Sequence, residues 1–204
     1  MWGDVYFLIA VILSLSIIFQ KYPNDVKDIK FTSITALIIY LTGQLIQFVE
    51  LTYIDRVNTM LTIVSLSLVF VILLMLIRKL KPVVFQYPYP IVFLPLMLPV
   101  SFAFMMDTII VEQIIFASIQ AVVIVVLFLL TAGYSEYMES KWGMGTGLIL
   151  FILAFVLYWM VKEIYPVPEW IWKIATSAGM VLVIYSFSGL VFNKIYNRVN
   201  DINR

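Results

Sequence analysis

Seven long apolar stretches, nearly free of ionisable side chains and joined by short loops, dominate this sequence. They run roughly from Trp2 to Phe19, Phe31 to Leu51, Val57 to Ile77, Pro90 to Met106, Ile109 to Ala132, Met144 to Val161 and Glu169 to Phe192. A helix of about 20 apolar residues crosses the hydrocarbon of a bilayer, and most of these stretches reach that length. Composition argues against a soluble alternative. Hydrophobic residues make up 63% of the chain and charged residues 12%, against roughly 45–50% and 25% in soluble domains. The sequence therefore predicts an all-α polytopic membrane protein, a single seven-helix transmembrane domain over residues 1–204, with no soluble output domain.

Basic residues near helix ends are retained on the cytoplasmic side of a membrane, so their distribution orients the chain. Alternate loops and the C-terminal tail carry Lys21, Lys27, Lys30, Arg78, Lys79, Lys81, Lys141, Lys194, Arg198 and Arg204; the opposite side carries Arg56, Lys162 and Lys173. The expected arrangement has the N-terminus outside and the C-terminus in the cytoplasm. Trp2 to Phe19 lacks the basic start and small-residue cleavage site of a signal peptide, and reads as a retained first helix.

The fourth segment differs from the others because Pro90, Pro95 and Pro99 interrupt it. Proline removes a backbone donor and clashes with the preceding turn, so this helix is expected to be kinked and to face the bundle interior. The stretch Gly143-Met-Gly-Thr-Gly147 reads as a flexible turn ahead of the sixth helix, with close helix packing. It lacks the Lys-Ser/Thr ending of a phosphate-binding loop.

Absent residue types exclude much chemistry. The chain has no Cys and no His, which removes disulfides, thiolate nucleophiles, histidine acid–base catalysis and the usual zinc and haem ligand sets. Carboxylates are scattered singly. The expectation is a protein that is not an enzyme and uses neither metal nor cofactor. A net charge of +1 gives no reason to expect nucleic acid as a partner; the expected partners are membrane lipids and other membrane proteins, or further copies of the chain.

Polar residues within apolar helices usually face the bundle interior or water. On the second segment Tyr40, Gln44, Gln47 and Glu50 recur at steps that place them on one face. Asn58, Thr62 and Ser65 repeat the pattern on the third, Glu112, Gln113 and Gln120 lie on the fifth, and Lys173, Thr176 and Ser177 on the seventh. In the expected topology Glu50, Asp107, Glu112 and Lys173 all fall at the outer end, whereas Val69 to Leu76 and Val122 to Leu130 make the inner half apolar. The candidate ligand-binding residues of an outer polar pocket are thus Gln44, Gln47, Glu50, Asp107, Glu112 and Lys173. Each also has a plainer role: Gln, Ser and Thr can hydrogen-bond between helices, Glu50 and Glu112 can reach water, and Lys173 can snorkel. Aromatic residues at both boundaries, among them Trp142, Tyr165, Trp170 and Trp172, form the belts of a membrane interface.

Through the stretch Tyr40 to Leu80 and the helical exit Phe192 to Arg204, the layout resembles the seven-helix sensory modules fused to prokaryotic histidine kinases. That resemblance implies an integral protein of a prokaryotic plasma membrane that senses an external or lipid-borne ligand and signals through a partner. A small solute or ion transporter with a three-plus-one-plus-three helix arrangement is the alternative, supported by the proline-broken fourth segment and by the likeness of Thr35 to Tyr40 and Thr146 to Phe151.

The topology is testable directly, because the native chain has no Cys. Single cysteines replacing Asn24 and Ser140 should react with an impermeant maleimide only after the inner membrane face is opened. Labelling of either position in intact cells would reverse the orientation.

Overall fold

The computed structural model describes residues 2–24, 26–46, 54–80, 88–97, 99, 109–161, 164–165 and 167–196. Among these residues every regular element is helical: α1 (Trp2–Lys21), α2 (Lys27–Ile46), α3 (Ile54–Leu80), a 3-10 helix (Tyr89–Leu96), α4 (Ile109–Tyr134), a 3-10 turn (Ser135–Tyr137), α5 (Lys141–Val156) running into a π turn (Leu157–Val161), and α6 (Glu169–Leu190) running into a second π turn (Val191–Tyr196). Among the described residues six helices are long and apolar enough to cross a membrane: Gly3–Lys21, Lys27–Ile46, Val57–Leu80, Gln113–Tyr137, Lys141–Val161 and Glu169–Asn193.

The fourth apolar segment is not among these six. Its described part is the 3-10 helix, with Pro95 inside it and Pro88 before it. Proline supplies no N–H and clashes with the preceding turn of an α-helix, and the chain here takes a short 3-10 form instead. Ile91 N–H donates to Pro88 O at 3.0 Å. Within the 3-10 helix Val92 and Pro95 are buried while Ile91, Phe93 and Leu94 are exposed, the three-residue spacing of a 3-10 face. The remainder of that segment, 98 and 100–106, lies outside the described residues.

The chain groups into two compact units, Met1–Lys30 with Ile124–Arg204, and Phe31–Val123. In the second unit, α3 packs on the 3-10 helix, and the Arg78 guanidinium lies 5.0 Å from the Tyr89 ring centroid. Helices α2 and α3 are tied where Ser65 Oγ donates to Ala36 O at 2.9 Å. A Cβ at Gly43 would sit 3.1 Å from Asn58 Oδ1 and 3.2 Å from Leu61 Cβ, so the bare glycine permits the approach.

In the first unit α6 packs on both α1 and α5. Helix α1 turns one stripe inward, Phe7, Val11, Ser14 and Ile18, at the spacing of a helix face. Helices α5 and α6 meet through glycine: a Cβ on Gly147 would lie 2.9 Å from Val183 Cγ2, and one on Gly179 would lie 3.0 Å from Gly147 O. Small residues allow such backbone approach where lipid supplies no hydrophobic drive. Gly143 to Gly147 is thus the first turns of α5, which corrects the flexible-turn expectation. Ser140 caps the helix by accepting from Gly143 N–H at 2.9 Å, satisfying a donor that an uncapped start would leave bare.

The loop before that cap is fixed to α6. Glu139 N–H donates to Ser186 O at 3.1 Å, and a Cβ on Gly189 would collide with the Glu139 backbone. Gly189→Ala should therefore destabilise the protein by about 1–3 kcal/mol, the usual cost of overpacking. Gly145, with nothing within 4 Å of its Cβ position, should accept alanine with no loss. Thermal unfolding of both variants in detergent checks the contrast; equal midpoints would show that the loop is not held there.

Candidate functional site

Three elements of the first unit converge at one end: the opening turns of α1, the π turn after α5 and the opening turns of α6. The convergence follows from direction. Asp4 of α1 meets Lys173 of α6 at one end and Lys21 of α1 meets Tyr185 of α6 at the other, so α1 and α6 run parallel. Helix α5 runs against α6, since Gly147 faces Gly179 and Tyr158 faces Trp172.

Lys173 is the hub. Its Nζ donates to Asp4 Oδ1 at 2.6 Å and lies 3.5 Å from Glu169 Oε2 one turn away on the same helix. The side chains of Lys173 and Asp4 are 14% and 18% exposed, that of Glu169 64%, so the bond to Asp4 is the better desolvated and the one to Glu169 is screened by water. Gly3 makes room, because a Cβ there would stand 2.8 Å from Lys173 Cδ and 3.2 Å from Trp170 Cα.

Aromatic rings close the cluster from the bundle side. Trp172 meets Tyr158 edge to face at 5.0 Å between centroids and Phe7 at 6.5 Å, and Tyr158 meets Trp159 at 4.9 Å. These are favoured aromatic geometries. Lys173 Nζ lies 5.6 Å from the Trp172 ring centroid, within reach of its quadrupole. Trp172 Nε1–H is buried, with no acceptor among the described residues. The site thus offers a half-hidden ammonium, two carboxylates of unequal exposure, an aromatic wall and an indole N–H without an acceptor among the described residues.

Two of the six candidate residues have described side chains. Lys173 is placed as above. Gln44 is half-buried on α2, in the second unit. Gln47, Glu50 and Asp107 lie outside the described residues, as does the side chain of Glu112, whose backbone belongs to α4. The neighbouring polar residues satisfy themselves locally: Thr176 Oγ1 donates to Trp172 O at 2.9 Å, Ser177 Oγ to Lys173 O at 2.7 Å and Thr62 Oγ1 to Asn58 O at 2.9 Å. Such bonds to the i−4 carbonyl leave these hydroxyls little to offer a ligand. No group of three or more metal-ligating side chains occurs among the described residues.

Sequence reading missed Asp4 and treated Trp172 as part of an interface belt. The signal was available. Asp4 and Lys173 are ionisable groups of opposite sign near the starts of apolar helices, and such intrusions usually pair.

At the opposite end of this unit, Lys21 Nζ bonds Glu139 Oε1 at 2.7 Å and lies 4.2 Å over the Tyr185 ring. Lys30 Nζ donates to Tyr22 O at 3.0 Å and Asn24 Oδ1 at 2.8 Å, covering carbonyls that α1 leaves open at its end. Tyr22, buried just past α1, has its phenol pKa raised by burial.

No protein-family model matches the chain, and neither the curated proteins nor the solved structures contain a match.

Removing one member of a desolvated ion pair strands the other, at a cost of several kcal/mol, whereas replacing both is often nearly neutral. Lys173→Met should therefore destabilise by about 3 kcal/mol, and the double change Asp4→Asn with Lys173→Met should recover most of it. A double-mutant cycle by thermal unfolding in detergent measures the coupling; additive losses would mean the pair contributes nothing.

Proposed function

We propose that this chain is an integral membrane module that acts through contacts with other membrane proteins and receives an external or lipid-borne ligand at the end where Lys173 lies. In this reading the N-terminus is outside, the C-terminus is cytoplasmic and the membrane is a prokaryotic plasma membrane. It catalyses no reaction. The observation that carries the reading is the placement of charge in the first unit: ionised groups sit at the two ends of its helices and pair with one another, while the spans between them are apolar.

Solute passage requires polar groups along a path. Val69 to Leu76 buries Val71, Leu73, Met75 and Leu76, and the stretch Val122 to Leu130 buries Val123, Leu127 and Leu130. An ion crossing such layers faces at least the ~2.5–3.5 kcal/mol of membrane-insertion scales unless water enters. That supports a module over a transporter.

Reconstitution decides between them. Liposomes containing the purified chain should show ion flux and small-solute uptake equal to those of empty liposomes. Flux well above that background, abolished by changing Gln47 or Glu50, would establish the transporter reading.

A further inference from the structure

Helix α5 carries an exposed apolar face. Trp142 is 88% exposed, more than any other large apolar side chain among the described residues, and Ile149, Ile152 and Leu153 are exposed further along the same helix. Gly145 lies between them, with nothing within 4 Å of its Cβ position. Steps of three and four residues place these positions on one face, with Gly145 as a recess between Trp142 and Ile149. At the start of that face stands Lys141, also exposed. We propose that this face binds one anionic phospholipid, with its phosphate at Lys141 and one acyl chain laid in the Gly145 recess and along Ile149, Ile152 and Leu153.

Charge and length both fit that occupant. Glu139, the carboxylate nearest to Lys141 in sequence, is bonded by Lys21 at 2.7 Å, so its charge is compensated within the protein and does not cancel that of Lys141. The start of the helix is also held in place. Ser140 accepts from Gly143 N–H, and Glu139 N–H donates to Ser186 O, which fixes the backbone that carries Lys141 and Trp142 and lowers the ordering cost of binding. Tryptophan favours the headgroup level of a bilayer, and lysine the surface of an anionic one. From Trp142 to Leu153 the helix rises by about 16 Å, close to the ~15 Å of hydrocarbon in one leaflet, so the face matches the depth of one acyl chain. The recess separates this face from an ordinary lipid-facing surface: bare backbone admits an acyl chain more closely than a branched side chain does, and dispersion grows with approach. The inference rests on α5 crossing a membrane and is independent of the ligand proposed at the Lys173 end.

Bromine on an acyl chain quenches tryptophan fluorescence only at close range, so Trp142 reports the lipid beside it. The experiment uses the full chain in nanodiscs of mixed phosphatidylcholine and phosphatidylglycerol, with one lipid or the other brominated, and the Trp142 signal is the difference between the native chain and Trp142→Phe. Brominated phosphatidylglycerol should quench Trp142 at an about fivefold lower mole fraction than brominated phosphatidylcholine, the weight of one lysine at an anionic surface. Lys141→Gln should remove that preference, and Gly145→Leu, which fills the recess, should weaken quenching by phosphatidylglycerol. An excess of inorganic phosphate should leave the quenching unchanged; displacement by it would overturn the lipid in favour of a free anion. Equal quenching by the two lipids, or weak quenching by both, as when a second copy covers the face, overturns the proposal. So does a preference that survives Lys141→Gln, or an unchanged phosphatidylglycerol titration in Gly145→Leu.

Discussion

An ionised side chain inside a membrane-spanning helix has to reach water or an opposite charge, and the arrangement of the first unit follows from how its few charges do so. Asp4 and Lys173 meet at one end of α1 and α6; Lys21 meets Glu139 and the Tyr185 ring at the other. Two fixed ends make the helices parallel and set their depth relative to each other. One contact at either end would leave α1 free to slide by a turn along α6. The charges thus specify register, which apolar surfaces of uniform composition cannot do in a solvent as apolar as themselves.

Between those ends, attraction depends on closeness. Gly147 against Gly179 brings two backbones together where a methyl group would hold them apart, and Gly3 does the same for the Lys173 stem. Serines inside α6 turn their hydroxyls onto its own backbone, Ser177 onto Lys173 O and Ser186 onto Leu182 O, so they act as small surfaces for packing. Dispersion grows steeply with approach, and here every shortening is supplied by a residue that lacks bulk.

Helix class and six of the seven expected spans were readable in the sequence because hydrocarbon imposes a length and a composition that few other environments demand. The 3-10 geometry of Tyr89–Leu96 was foreshadowed only as irregularity: proline excludes donors but does not say which helix replaces the α-helix. Gly143 to Gly147 was misread for a physical reason. Glycine disfavours an isolated helix, yet a Ser140 cap and contact with α6 outweigh that preference. Lys173 was read as an intrusive charge without its partner Asp4, since counting charges by loop carries no azimuth around the helix. Asp4 was overlooked because a carboxylate one turn from a chain start looks solvated until a helix is packed over it.

The cluster around Lys173 also explains why its aromatic residues are not interchangeable with the interface belt. Trp142 is 88% exposed, with the amphipathic placement that headgroups favour. Trp172 has its indole N–H buried with no acceptor among the described residues, and its ring packs with Tyr158, Phe7 and the Lys173 ammonium. A belt residue gains by satisfying its polar edge at the interface, whereas Trp172 is held by the rings of Phe7 on α1 and Tyr158 after α5.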